Sequence, residues 1–169
     1  FRNDSEEEKS IQNFSKFKPS KKTKIFHQNI DRLGNKIERL NHYLHLYNPD
    51  IVVLTEHGLS TSFLNNVCLV NYNLVTAYCR ENYRKGGVAI YKHIDIASDI
   101  ESININYSEE LVCEMSAVRV TFDKKSHFYI LGVYRPPSAS LDRALTLLTN
   151  TLDAFPSDKN GTCIIGVSM

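Results

Sequence analysis

Lys24-Ile25-Phe26-His27-Gln28-Asn29 and, one helix-length later, Pro49-Asp50-Ile51-Val52-Val53-Leu54-Thr55-Glu56 decide how this chain folds. Each is an apolar, strand-like run that ends on one polar group, an amide in the first and a carboxylate in the second. Between them Leu33, Ile37, Leu40, Leu44 and Tyr47 recur at spacings of three and four, which predicts a helix with one apolar stripe, closed by Asn48-Pro49. Ile51 to Leu54 is continuously apolar and rich in β-branched residues, the pattern of a strand covered on both faces. A strand, helix and strand in that order predict a parallel pair whose ends open into one crevice, where Asn29 and Glu56 would meet.

Working outward, Tyr72 to Tyr78 reads as a strand, and Gly86-Gly87 as a turn permitting close backbone approach before the strand Val88 to Tyr91. Residues 98–109 read as a loop. Leu111 to Phe122 reads as a long strand in which Val118, Val120 and Phe122 alternate with Arg119, Thr121 and Asp123; His127 to Tyr134 returns as its antiparallel partner. Ser138 or Ser140 caps a helix carrying Leu141, Leu145, Leu148 and Leu152, and Thr162 to Ile165 begins a last strand. Such a mixture places helices outside strands in an α/β arrangement.

Composition bounds the function. A chain of 169 residues with 42% hydrophobic content suits one domain, and a formal net charge of +1 exerts no broad pull on nucleic acid, so any DNA contact needs a local basic patch. Residues 1–22, with Asp4, Glu6 to Glu8 and lysines at 16, 18, 21 and 22, read as a flexible charged leader ahead of a domain over 23–169. Cys68, Cys79, Cys113 and Cys163 lack zinc-ligand spacing and read as reduced core thiols. No apolar run reaches membrane-spanning length and no targeting segment stands out, so the expected setting is intracellular, with no membrane partner.

The candidate chemistry sits at strand ends. Glu56 offers one hard oxygen, enough for magnesium, which keeps several waters and takes only one or two protein carboxylates; a turn-capping or solvated glutamate is the alternative. Asn29 could donate to a phosphoryl oxygen or form an Asx turn before Asp31-Arg32. Tyr134 closes its strand with a phenol, Arg135 adds a charge, and Pro136-Pro137 keep the following backbone extended. His57 reads as a loop histidine without a catalytic role. Glu114 either faces the cleft or pairs with a neighbouring Lys or Arg. Arg80, Arg84 and Lys85, beside Tyr78 and Tyr83, are a DNA-backbone patch or exposed loop charges.

Taken in order, Gln28-Asn29, Pro49-Asp50 to Thr55-Glu56, Gly86-Gly87-Val88-Ala89-Ile90, Tyr134-Arg135-Pro136-Pro137 and Ile164-Ile165-Gly166 make residues 23–166 resemble the endonuclease domain of non-LTR retrotransposons of the jockey-like kind, within the endonuclease/exonuclease/phosphatase superfamily. That resemblance implies a two-sheet β-sandwich flanked by helices and a magnesium-dependent endonuclease, with manganese a possible substitute. The enzyme would nick DNA so that a reverse transcriptase domain further along the element can prime from the freed 3′ hydroxyl. It implies a nuclear location, Glu56 as metal ligand, Asn29 and Tyr134 as catalytic, phosphate-positioning groups, and Arg135 as a substrate-binding charge. The departure is at the end: Val167-Ser168-Met169 stand where the family writes Asp-Phe-Asn after Gly166, and the later Ser-Asp-His region does not appear. With Phe1 at its start, the sequence reads as a fragment whose fold is incomplete at the C-terminus and which is inactive as given. Two rival readings are a degenerate module that binds nucleic acid or protein without cutting, and a phosphoesterase acting on a small phosphate ester.

Overall fold

The structure is a computed structural model describing residues 22–123, 126–156 and 161–168; the expected leader, apart from Lys22, lies outside them. The deciding stretch folds as read. Strand β1 (Ile25–Asn29) and strand β2 (Ile51–Thr55) are parallel, registered from Ile25 opposite Ile51 to Asn29 opposite Thr55, and helix α1 (Ile37–Tyr47) crosses between them. Asn48, at φ +42, ends the helix in a left-handed conformation with its amide on the Leu44 carbonyl. β2 then pairs antiparallel with β4 (Val88–His93), and β4 with β3 (Tyr72–Tyr78), giving the order β1-β2-β4-β3.

A second four-stranded sheet runs β5-β6-β7-β8, made of β5 (Asp99–Ile103), β6 (Glu114–Asp123), β7 (Ser126–Arg135) and β8 (Thr162–Ser168). β6 and β7 are the expected hairpin, and β8 joins β7 in parallel after helix α3 (Leu141–Asp153). A one-turn helix α2 (Thr61–Leu64) precedes β3 and had no periodic signal. The described residues thus form an α/β, two-sheet β-sandwich flanked by helices.

Every residue of β2 is buried, and its alternation explains the layering. Val52 and Leu54 pack with Leu33, Leu40 and Leu44 beneath α1, while Ile51 and Val53 meet Val88, Ile90, Val118, Val120 and Ile130 between the sheets. A third apolar layer, Met115, Ala117, Tyr129, Leu131 and Val133, is closed by Ala144 and Leu147 of α3 together with Phe155. The helices therefore cap the outer faces, and both sheets lose water on both sides. Among the described residues no helix is long and apolar enough to cross a membrane.

Several expectations need correction. Residues 98–109 are not all loop: 99–103 form β5, a short edge strand whose composition, Asp-Ile-Glu-Ser-Ile, puts one fully buried side chain, Ile100, among polar ones. Leu111 stands at φ +66 and precedes the strand, so β6 starts at Glu114. In α3 the covered face is Ala144, Leu147 and Thr151, whereas Leu141 and Leu145 are more than half exposed or close to it, at 56% and 50%. Leu148 and Leu152 of the expected stripe do pack, partly buried, against the third layer, and the helix is turned so that Leu147 rather than Leu145 faces it. Ser140 is the N-cap, accepting the Arg143 amide at 3.4 Å. In α1 the stripe holds at Leu40 and Leu44, but Leu33 is buried ahead of the helix and Tyr47 is 61% exposed. Cys113 is a core thiol; Cys68 is exposed.

Candidate metal and phosphate site

The first two strands stay zipped together past their ends. The Ile30 amide donates to the Thr55 carbonyl at 3.0 Å, Arg32 to Glu56 at 2.9 Å and Leu33 to His57 at 2.9 Å, so Asn29 and Glu56 leave the sheet side by side. Asp31 and Arg32, at φ +39 and +69, turn the chain away. Of the two readings of Asn29, the Asx turn is the one observed. Its Oδ1 accepts the Asp31 amide at 3.3 Å, an Asx turn, while its Nδ2 is buried without a hydrogen-bond partner. A buried donor left unpaired costs about 1–3 kcal/mol, which an acceptor arriving from outside would recover.

Glu56 is 8% exposed and stands at φ +57, a left-handed conformation uncommon for a non-glycine residue. Its amide donates to the Gly87 carbonyl at 2.8 Å. The Tyr134 phenol comes near its carboxylate from the second sheet, close enough to feel its charge. Tyr134 lies on the inward face of β7 opposite Glu114 and is 4% exposed. Burial, then the negative charge of Glu56, hold its phenol above the usual tyrosine range, Glu114 adds to the shift, and Arg80 opposes it.

Behind these groups lies a buried ion pair whose partners the sequence left open. Arg80 Nε is 2.6 Å from Glu114 Oε1, with side-chain exposures of 7% and 0%. The guanidinium stands over the Tyr134 ring, 5.9 Å from its centroid. Glu114 also takes the Gly87 amide on Oε2 at 2.6 Å and the Leu111 amide on Oε1 at 3.2 Å. Of the two readings for Glu114, pairing with an arginine is the one observed. The available signal was phase: Glu114 shares a strand face with Val118 and Val120, so its carboxylate had to be buried. Of the basic run, Arg84 and Lys85 are exposed and Arg80 is not.

Gly86 and Gly87 make room for this arrangement. At φ +68 and +88, they leave slots where a Cβ would stand 2.2 Å from Arg80 Nε and 2.3 Å from His57 Nε2, respectively. His57 is fully buried, accepts the Leu59 amide on Nδ1 at 3.1 Å, and contacts the Tyr78 carbonyl through Nε2 at 3.0 Å. Those partners assign the proton to Nε2. Burial lowers its pKa and the Tyr78 carbonyl partly opposes that, so the ring acts as a neutral brace. Arg135 takes the other face of β7. Its Nη1 donates to the carbonyl of Ala139 at 2.8 Å and to that of Pro136 at 3.4 Å, and its charge acts on Cys113. The structure sets Asn29 and Glu56 at the joint ends of neighbouring strands and brings Tyr134 within range of the Glu56 charge, while Arg135 lies on the opposite face of β7. The β7–β8 register places position 167 next to Tyr134, at the same end of the sandwich.

Among the described residues no three His, Cys, Asp or Glu side chains converge on a metal-sized space. The donor set is one carboxylate, one amide and one phenol. It fits magnesium, whose shell is mostly water and substrate phosphate, and the unpaired Asn29 Nδ2 fits a phosphoryl oxygen. A phenol and an amide donor beside a metal-ligating carboxylate can orient and neutralise a phosphodiester.

No protein-family model matches the chain, and no curated protein matches it. Solved structures do. The endonuclease domain of TRAS1, a telomere-specific non-LTR retrotransposon, is 11% identical with a TM-score of 0.61, over 85% of this chain and 59% of that one. TDP2 from D. rerio, complexed with a single-strand DNA product, is 18% identical with a TM-score of 0.59, over 87% and 60%. The 3′ phosphatase NExo from Neisseria, bound to a product DNA hairpin, is 16% identical with a TM-score of 0.57, over 86% and 57%. An endonuclease/exonuclease/phosphatase family protein from Bacteroides thetaiotaomicron is 13% identical with a TM-score of 0.54, over 85% and 62%. The chain has the fold of that superfamily, as its motifs implied, and spans about three-fifths of the length of these structures.

Proposed function

We propose that this chain carries the metal- and phosphate-holding part of a DNA endonuclease of the retrotransposon type. Glu56 holds magnesium, or manganese in its place. The metal would neutralise charge developing on the phosphoryl group. Asn29 donates its free Nδ2 to a non-bridging oxygen, and the Tyr134 hydroxyl turns to the same phosphate. Arg135 braces the loop at Pro136 to Ala139 that follows Tyr134, and adds positive charge for the substrate from there. Action on genomic DNA places the protein in the nucleus, and a reverse transcriptase that extends the nicked end is the expected partner.

The observation that carries this reading is the Asn29 Nδ2, buried and unpaired, at the joint ends of the two parallel strands from which Glu56 also emerges. DNA in two of the similar structures supports the substrate class. His57, which neighbours Glu56, has both ring nitrogens engaged and offers no general base. We expect metal and DNA binding with little turnover, since the acid–base help that His57 does not supply contributes about 10² to 10⁴-fold.

The test combines manganese titration, binding of a short duplex with and without magnesium, and nicking of supercoiled plasmid. Glu56-dependent metal binding, magnesium-dependent DNA binding and little nicking are expected. Absence of metal binding would overturn the reading. DNA binding indifferent to magnesium and to Glu56→Ala would favour a binding module without chemistry.

A further inference from the structure

Burying an arginine and a glutamate is expensive, and well-packed apolar residues often stabilise a fold as well or better, so the bonds that such a pair makes beyond itself indicate its use. Apart from each other, Arg80 and Glu114 bond to the backbone of two loops beside the site. Glu114 takes the amides of Gly87 and Leu111, and Arg80 Nη1 donates to the Arg84 carbonyl at 3.4 Å. The Gly86-Gly87 turn held this way grips the metal-ligand segment from both sides. Gly87 accepts the Glu56 amide at 2.8 Å and Gly86 accepts the Gly58 amide at 2.9 Å. The guanidinium also fills the slot that Gly86 leaves open.

A continuous path therefore runs from Arg80 to Glu114, through the amide and then the carbonyl of Gly87, to the Glu56 backbone. Glu56 needs such a hold, because a left-handed glutamate persists only where its surroundings over-determine it. The same pair bears on Tyr134. Arg80 stands over the ring and opposes the shift that Glu56 and Glu114 impose on the phenol.

We infer that Arg80 and Glu114 are a positioning pair, aiming the Glu56 carboxylate through the Gly86-Gly87 turn. Its consequence for metal binding rests on the function proposed for Glu56; the positioning itself does not. Loss of the pair should loosen Glu56 and Gly87 selectively, leaving the middle of β2 as tight as before. Metal affinity should fall with it, as it does when the support of a ligand is removed elsewhere, by about tenfold or more.

The experiment uses the full 169-residue chain in two variants, Glu114→Gln, which keeps shape and one acceptor oxygen, and Arg80→Lys, which keeps charge but loses the fork. Amide hydrogen exchange is read residue by residue, and manganese affinity by electron paramagnetic resonance. In Glu114→Gln, exchange at Glu56 and Gly87 should rise about tenfold or more while Val52 to Leu54 stay unchanged, and manganese should bind about tenfold more weakly. Arg80→Lys should shift the same amides by less, and it serves alone if Glu114→Gln does not fold. Unchanged exchange at Glu56 and Gly87, or equal acceleration throughout β2, overturns positioning. If the selective exchange change appears but wild-type manganese binding does not depend on Glu56, positioning stands and the metal role of Glu56 falls. If binding depends on Glu56 but the exchange does not change, the reverse holds.

Discussion

The Glu56 amide donates to the Gly87 carbonyl at 2.8 Å, and the residue it anchors stands at φ +57. The proposed metal ligand is therefore set in a backbone conformation that an L-residue adopts at a cost of about 1 kcal/mol and that glycine adopts freely. Glu56→Ala and Glu56→Gly both remove the carboxylate and should both abolish metal binding. They should differ in stability: the glycine variant is expected to exceed the alanine variant by about 1 kcal/mol in urea denaturation, the reverse of the usual order. Equal stabilities, or alanine above glycine, would mean that the left-handed backbone carries no strain.

Gly87 is the other half of that relationship. A Cβ there would meet His57 Nε2 at 2.3 Å and the Tyr78 carbonyl at 2.8 Å, on a backbone at φ +88. Neither neighbour is a free chain end, since His57 is held at both nitrogens. Gly87→Ala should cost about 3 kcal/mol, combining overpacking with a disfavoured φ. At Gly161, by contrast, an added Cβ meets nothing within 4 Å, and Gly161→Ala should change stability by no more than about 0.5 kcal/mol. Parallel denaturation of the two variants checks the contrast.

Much of this site could be read in the sequence, and the parts that could not share a cause. Asn29, Glu56 and Tyr134 end strands whose apolar patterns are local, so strand ends and the parallel crossover could be placed from periodicity alone. The partner of Glu114 could not, because Arg80 lies 34 residues away in a polar loop and nothing local distinguishes it from the exposed Arg84 and Lys85. Arg135 illustrates the same limit in the other direction. Its neighbour Tyr134 faces the site, so the pleat turns Arg135 to the opposite face and the carbonyls of the following loop. The edge strand β5 escaped because Asp99, Glu101 and Ser102 suit a loop as well as a strand held through its backbone to Thr121, Arg119 and Val118.

His57 gives the fold a pH dependence whose sign is fixed by its burial. The folded state holds the ring neutral with a lowered pKa, whereas the unfolded chain protonates near its ordinary value of about 6.5. Below that pH the unfolded state binds more protons, so stability is full above it and falls as the pH drops toward the folded pKa. The limiting slope for one such group is about 1.4 kcal/mol per pH unit. His27, also lowered by burial, adds to the loss. Stability measured between pH 7.5 and 5 should decline in wild type and decline less in His57→Gln, leaving the share due to His27. An unchanged slope in that variant would assign the loss to other groups.

The Tyr134 phenol offers a direct report on what occupies Glu56. Its pKa is raised by burial and then by the charge of Glu56, with Glu114 acting in the same sense and Arg80 against. Phenolate formation beside a carboxylate adds like charge to like, so the neutral form is favoured. A divalent cation on Glu56 reverses the sign of the local charge. That change favours phenolate, so magnesium or manganese should lower the Tyr134 pKa. The chain has 9 tyrosines, and burial also raises Tyr72 and Tyr78 to about 12, so the signal must be isolated by difference. Ultraviolet titration of wild type minus Tyr134→Phe, with and without manganese at a pH that keeps the metal soluble, gives that difference. A metal-induced increase in phenolate present in wild type and absent in both Tyr134→Phe and Glu56→Ala is expected. If the increase persists in Glu56→Ala, the metal acts from elsewhere; if it is absent from wild type, Glu56 and Tyr134 do not share an ion.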